Sequence, residues 1–265
     1  MLAENPFYND LMTIRPAVTA FWRLIWIGSC ALALLLQTRL MVGLPTVPGW
    51  LDGFVFGSTV FGYHCTHPRR VCRWLAWGLG AGGGFCFLWL DQATQFSALG
   101  PACLWVAYYG LRRPGTTGLR ALPVAKPLVI ALAWTWVTLW LPTGQPLWPI
   151  FLARTAFILA LALAYDLTDL AYDRRYQLTT LVGRMGEQRS LRLIMAALTF
   201  AALTIGLGFF QKIISLPVTG AIWATYLFTA LALPRILRSW SAVTAQKVAI
   251  DALMILQALL VWLAV

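Results

Sequence analysis

Long apolar runs, broken at short intervals by proline and charge, organise this 265-residue chain. Nine runs can be marked, at roughly 17–37, 49–64, 71–90, 92–110, 124–141, 147–165, 192–210, 217–233 and 247–265. They are continuous rather than alternating, so they predict helices and not barrel strands. Most approach the ~20 residues that a helix needs to cross the hydrocarbon core, and the second is short. Pro45, Pro48, Pro68, Pro114, Pro123, Pro142, Pro146, Pro217 and Pro234 punctuate the gaps. Only Asp91 separates the third run from the fourth, which predicts a tight hairpin. The expected architecture is all-α: one polytopic membrane domain over residues 1–265, with nine transmembrane helices.

Composition supports this class. The chain is 60% hydrophobic and 11% charged, against about 45–50% and about 25% in soluble domains. That excludes both a soluble enzyme and a disordered chain. The net charge of +11 would suggest nucleic acid in a soluble protein. Here its distribution gives another reason. With the N-terminus in the cytoplasm, inner segments hold Arg15 and Arg23; Arg69, Arg70 and Arg73; Arg112, Arg113, Arg120 and Lys126; Arg174, Arg175, Arg184, Arg189 and Arg192; and Arg235, Arg238 and Lys247. The outer side receives only Arg39, Arg154 and Lys212, so 17 of 20 basic residues face inward. This is the asymmetry that orients helices in membranes. It places Val265 outside and leaves no nucleic-acid partner to expect. An integral protein of a bacterial inner (plasma) membrane is the expected setting. The N-terminal stretch carries no cleavage signature, so the first run is expected to act as an uncleaved anchor. Trp50, Trp89, Trp140 and Trp148 fall near run ends, as interfacial anchors do.

Two apparent motifs have simpler explanations. The five cysteines are odd in number and form no C-x-x-C, so neither a disulfide framework nor a zinc site is indicated. The stretch from Gly78 to Gly84, GLGAGGG, has no preceding strand and no following Lys-Ser/Thr. It predicts close helix packing rather than a phosphate loop.

Chemistry concentrates at the end of the sixth run, in YDLTDLAYDRR from Tyr165 to Arg175. Asp166, Asp169 and Asp173 are three of the nine acidic residues. Their i, i+3, i+7 spacing puts them within about 60° on a helix. Carboxylates so placed repel one another unless a cation joins them, and a hard divalent ion such as Mg²⁺ prefers oxygen ligands and bridges to phosphates. Arg174 and Arg175 can hold the same phosphates. At the membrane edge, such a cluster suits a substrate with an ionic head and an apolar tail. The plainer alternative is a solvated, charged helix end.

From Asp166 to Gly186, DLTDLAYDRRYQLTTLVGRMG resembles the second Asp-rich motif of UbiA-type membrane prenyltransferases. That motif sets D-x-x-D-x-x-x-D on a helix end, then T-L-P-V and a basic residue before L-G. Thr180, Leu181, Val182 and Gly186 stand at those landmarks, without the proline. The resemblance implies a UbiA-like bundle, a prenyl diphosphate or other lipid substrate, and membrane lipids as surroundings. It also implies transfer of the prenyl group to an acceptor, with Mg²⁺ and diphosphate held by Asp-rich motifs. Catalytic and metal-binding roles then fall to Asp166, Asp169 and Asp173.

The first motif of that family departs here. Its expected place, at the inner end of the second run, reads FGYHCTHPRR and has no carboxylate. His64 and His67 take the place at i, i+3. They suit zinc or copper better than Mg²⁺, or with Arg69 and Arg70 they can meet a diphosphate directly. They are equally readable as an interfacial polar cap, and a decayed site is a third reading. Lys126, opening the fifth run, can reach a phosphate or snorkel. Lys247 and Asp251 read as a local i, i+4 pair, or Asp251 faces the cavity, while Asp52 and Asp91 fall on the outer side. The pattern therefore supports two functions: prenyl transfer to an unknown acceptor, with altered or lost metal dependence, or a non-catalytic lipid-diphosphate binder or subunit with an unidentified protein partner. A transporter fits less well, because no broken-helix pair recurs in matching halves.

Overall fold

The computed structural model describes residues 6–66, 73–109, 124–170, 180–239 and 242–265. Each predicted apolar run falls on helix over most of its described length, with a few end residues such as Trp89 and Leu90 outside it. The helices are α1 (Pro6–Val42), α2 (Trp50–Thr66), α3 (Arg73–Leu88), α4 (Gln92–Tyr109), α5 (Ala125–Thr143) and α6 (Trp148–Thr168). A short α7 (Leu181–Met185) precedes α8 (Glu187–Phe210), α9 (Leu216–Ser239) and α10 (Val243–Ala264). Among the described residues, six segments are long and apolar enough to cross a membrane: Phe21–Val42, Ala125–Thr143, Trp148–Thr168, Glu187–Phe210, Leu216–Arg238 and Val243–Ala264. The described lengths of α2, α3 and α4 are 17, 16 and 18 residues. Sixteen residues rise about 24 Å, short of a ~30 Å hydrocarbon core.

Several helices run past the predicted runs. For example, α8 begins at Glu187 rather than near 192, and α10 at Val243 rather than near 247. Hydropathy marks the lipid-facing stretch, whereas a helix continues into the polar interface. Pro234, read from sequence as a break, instead lies inside α9. Membrane helices tolerate such a proline; the Arg235 guanidinium donates to the Leu231 carbonyl at 2.9 Å, next in sequence to the Ala230 carbonyl that loses its helical donor to Pro234. Asp52 and Asp91 serve as helix starts. The Gly49 N–H donates to Asp52 at 2.7 Å. Thr94 donates to Asp91 through its N–H at 3.0 Å and its hydroxyl at 2.6 Å. These bonds hold the Asp91 carboxyl below its ordinary range, and they set the sharp entry into α4.

The chain divides into two compact units: Met1–Leu32 with Pro48–Leu90, and Ala33–Val47 with Asp91–Val265. The first unit rests on close contact between α2 and α3. A Cβ at Gly57 would lie 2.3 Å from the Leu79 carbonyl oxygen and 2.9 Å from the Gly83 Cα. One at Gly80 would lie 2.7 Å from the Phe61 ring. Part of the glycine cluster thus lets two backbones meet, as small residues do between membrane helices. Leu24, Val60 and Ala76 are buried beside this contact. Because the obstacles at Gly57 are backbone atoms, Gly57→Ala must push the helices apart. We expect it to destabilise the first unit by about 1–3 kcal/mol, read as a lower melting temperature and faster proteolysis between α2 and α3.

The second unit is built around α6. Ile150, Phe157, Leu161 and Leu163 are buried along it, and α5, α8, α9 and α10 all contact it. A helix apolar on every side is stable only inside such a bundle. By contrast, Leu203, Phe210, Leu227, Trp262 and Leu263 are each more than half exposed. Apolar surface of this extent suits lipid and not water. Midway along α5, a π-turn spans Trp136–Trp140. It stacks these two indoles at 4.6 Å and interrupts the regular ladder of carbonyl bonds.

Candidate functional site

Three helix ends of the second unit converge through paired charges. The last turn of α6 supplies Tyr165 and Asp166, and Asp169 caps the helix. The first turn of α5 supplies Lys126, and the first half of α10 supplies Lys247 and Asp251. Lys126 Nζ donates to Asp166 Oδ1 at 2.5 Å. Lys247 Nζ donates to both oxygens of Asp169, at 2.6 and 2.7 Å. The Tyr165 hydroxyl donates to Asp251, and Lys247 also lies 5.7 Å from the Tyr165 ring centroid. One helix turn thus reaches two others through three polar contacts, two of them ionic.

Burial decides what these pairs are worth. Asp166 is 4% exposed and Asp251 7%, so neither carboxylate is stable there without compensation. The Lys247–Asp169 pair is wetter, with side chains 15% and 34% exposed. Both lysines can lay their stems along apolar surface while the ammonium reaches a carboxylate. The partly accessible Lys247–Asp169 pair can exchange a partner for a ligand more readily than a sealed pair could.

Downstream, Thr180 caps α7 by accepting the Gly183 N–H at 3.2 Å, and Val182 is fully buried. Gly186, at φ +78°, turns the chain into α8, a conformation that favours glycine. The landmarks quoted from sequence therefore form a folded turn after the acidic segment.

The sequence-predicted site is described in part. Asp166, Asp169 and Lys126 come together in the second unit, while His64 lies in the first unit and is buried, 6% exposed. Asp173, Arg174, Arg175, His67, Arg69 and Arg70 lie outside the described residues. Among the described residues, no group of three or more His, Cys, Asp and Glu side chains gathers as a metal would require. Lys247 and Asp251, read from sequence as a local pair, instead join the cluster through Asp169 and Tyr165. Tyr165 was not singled out. A lysine and an aspartate at the start of the last run were the available signal, because ionisable groups in membrane helices mark sites.

Asp166 and Asp169 present carboxylate oxygens, which Mg²⁺ prefers, and each is at present neutralised by an ammonium group. Among the described residues of the cluster, Asp166, Asp169 and Asp251 stand with Lys126 and Lys247, which leaves no surplus positive charge. An incoming diphosphate would therefore need positive charge beyond what these residues supply.

No family model matches the chain, and no curated protein matches it either. Among solved structures, a digeranylgeranylglyceryl phosphate synthase in membranes matches with a TM-score of 0.58 and 15% identity. The match covers 93% of this chain and 98% of that one. At this identity the likeness shows a shared fold.

Proposed function

We propose that the chain is a UbiA-like membrane prenyltransferase of nine spans, with its N-terminus on the cytoplasmic side of a bacterial inner membrane. Its substrate is a prenyl diphosphate, from which it transfers the prenyl group to an acceptor whose chemistry the residues do not specify. The observation that carries this reading is the convergence of Lys126, Asp166, Asp169, Lys247 and Asp251 at one end of three helices. The shared fold adds support. Ionic groups at the end of an otherwise apolar bundle fit a head group attached to a long hydrocarbon tail.

In this reading Lys126, Lys247, Arg174 and Arg175 bind the diphosphate through charge-assisted hydrogen bonds. Asp166, Asp169 and Asp173 would hold Mg²⁺, which when bound supplies the charge that diphosphate departure requires. The lysines compete for those carboxylates, and they become free for phosphate once the carboxylates have another partner. The buried walls of α6 keep water from the allylic end of the chain. His64, His67, Arg69 and Arg70 are proposed as further diphosphate contacts in place of the missing first Asp-rich motif.

The lack of a carboxylate between Phe61 and Arg70 favours one alternative, a protein that binds a lipid diphosphate without turning it over. A thermal-shift titration with farnesyl and geranylgeranyl diphosphates, with Mg²⁺ or with chelator, tests binding; release of free diphosphate tests turnover. Expected is a saturable rise in melting temperature that is at least tenfold weaker in chelator, about 1.4 kcal/mol. Absence of any shift at either chain length contradicts both readings. A shift without diphosphate release supports the binder.

A further inference from the structure

Arg154 lies six residues into α6, about 9 Å from the start of that helix. It is twelve residues, or about 18 Å, from Asp166 along the same helix. Its side chain is 3% exposed, and among the described residues no carboxylate pairs with it. A buried cation without a counter-charge is strongly unfavourable in a low-dielectric setting.

Neutral acceptors hold one side of it. Nη1 donates to the Leu34 carbonyl at 3.1 Å, to Thr38 Oγ1 at 2.5 Å, and to Thr138 at 3.0 Å (carbonyl) and 3.2 Å (hydroxyl). Nη2 donates to Gln37 Oε1 at 2.8 Å. The π-turn of α5 places the Thr138 carbonyl where it accepts from both Arg154 and Thr38. These bonds fix the guanidinium plane but do not cancel its charge. Of its five N–H groups, they leave the Nε–H and one Nη2–H without a described acceptor.

Arg154 also lines a small cavity whose free interior is about 10 Å³. Its centre has room for about one water-sized particle. Gln37, Tyr226 and Gln257 supply the other polar walls, and Ile205 and Ile222 are among the apolar ones. Gln257 is 2% exposed; its buried Nε2 faces the Tyr226 hydroxyl but makes no hydrogen bond of ordinary geometry among the described residues. The cavity therefore joins an uncompensated guanidinium, an unsatisfied amide donor and a tyrosine hydroxyl. That chemistry lacks a single thing, a small negative charge, and the space is too small for a phosphate or a lipid head group.

We infer that this cavity is a buried site for one small monovalent anion, chloride in size and charge, held by Arg154, Gln257 and Tyr226. It is distinct from the charged cluster at the other end of α6, and it stabilises the fold independently of any diphosphate. The occupant binds the folded state and not the unfolded chain, so stability should rise with its concentration and saturate.

The test is the melting temperature of purified full-length protein, as sodium chloride replaces sodium gluconate at constant ionic strength. A saturable rise specific to chloride, followed in order by bromide, is expected. Gln257→Glu would place a carboxylate beside Arg154. That variant should melt in gluconate at least as high as the parent in saturating chloride, and should lose its chloride response. Arg154→Gln should also lose the response if it folds. A parent indifferent to halide means the cavity holds neutral water, and the inference fails. A full chloride response in Gln257→Glu overturns it as well, since the ion would then bind elsewhere.

Discussion

Lys126→Met should destabilise the protein by about 1–3 kcal/mol, because it takes a charged hydrogen-bond donor from a buried carboxylate. Asp166 is 4% exposed, and its Oδ1 receives the Lys126 ammonium at 2.5 Å. Methionine preserves most of the stem and its packing, so the lost charge dominates the effect. Asp166→Asn in the same chain removes the charge that Lys126 compensated. The double variant should therefore recover most of the loss, and a double-mutant cycle in detergent should give a coupling of about 1 kcal/mol or more. If the single and double variants melt together, the pair does not anchor α5 to α6. This prediction concerns folding alone and holds whatever the site binds.

Asp169→Asn should separate binding from stability. Its pair with Lys247 is partly exposed, with the Asp169 side chain at 34%, so the ligand-free protein should change by no more than about 1 kcal/mol. In Mg²⁺, affinity for prenyl diphosphate should fall tenfold or more, because a hard oxygen ligand has been replaced by a neutral amide. In chelator the substitution releases Lys247 toward phosphate, so affinity should hold or rise. Isothermal titration of parent and variant under both conditions reads the two effects. A variant that matches the parent in Mg²⁺ would remove Asp169 from the site and leave the basic segment of the second run as its main candidate.

Much of the fold was legible because lipid is a strict solvent. A backbone in hydrocarbon must satisfy its own hydrogen bonds, so each continuous apolar run announced a helix. The ends were less legible, as Glu187 and Val243 illustrate, because polar turns continue a helix without an apolar signal. Pro234 misled for a related reason: a membrane helix tolerates a missing N–H of the kind that ends many soluble helices. The Gly57–Gly83 contact was half visible, since the glycine cluster implied close packing without naming the partner helix.

At the site, the acidic spacing of Asp166 and Asp169 was readable from local geometry. Their partners were not. Lys126 is 40 residues from Asp166, and Lys247 is 78 from Asp169. Periodicity relates residues within one helix and carries nothing about which helices are adjacent. The local rule favoured Lys247 with Asp251, four residues apart, whereas the bundle brings Asp169 to the lysine and Tyr165 to the aspartate. Arg154 was assigned from sequence to the outer side, and no sequence pattern announced its bonds to α1 and to the π-turn of α5.

The central claim is that a lipid diphosphate seats its head group where α5, α6 and α10 meet. A prenyl diphosphate carrying a photoreactive diazirine beside its diphosphate measures this directly. After irradiation of purified protein in Mg²⁺, labelled peptides should map to the segments around Lys126, Tyr165–Asp169 and Lys247, and unlabelled prenyl diphosphate should suppress the labelling. Label confined to other helices, or label that unlabelled prenyl diphosphate does not displace, would contradict the account.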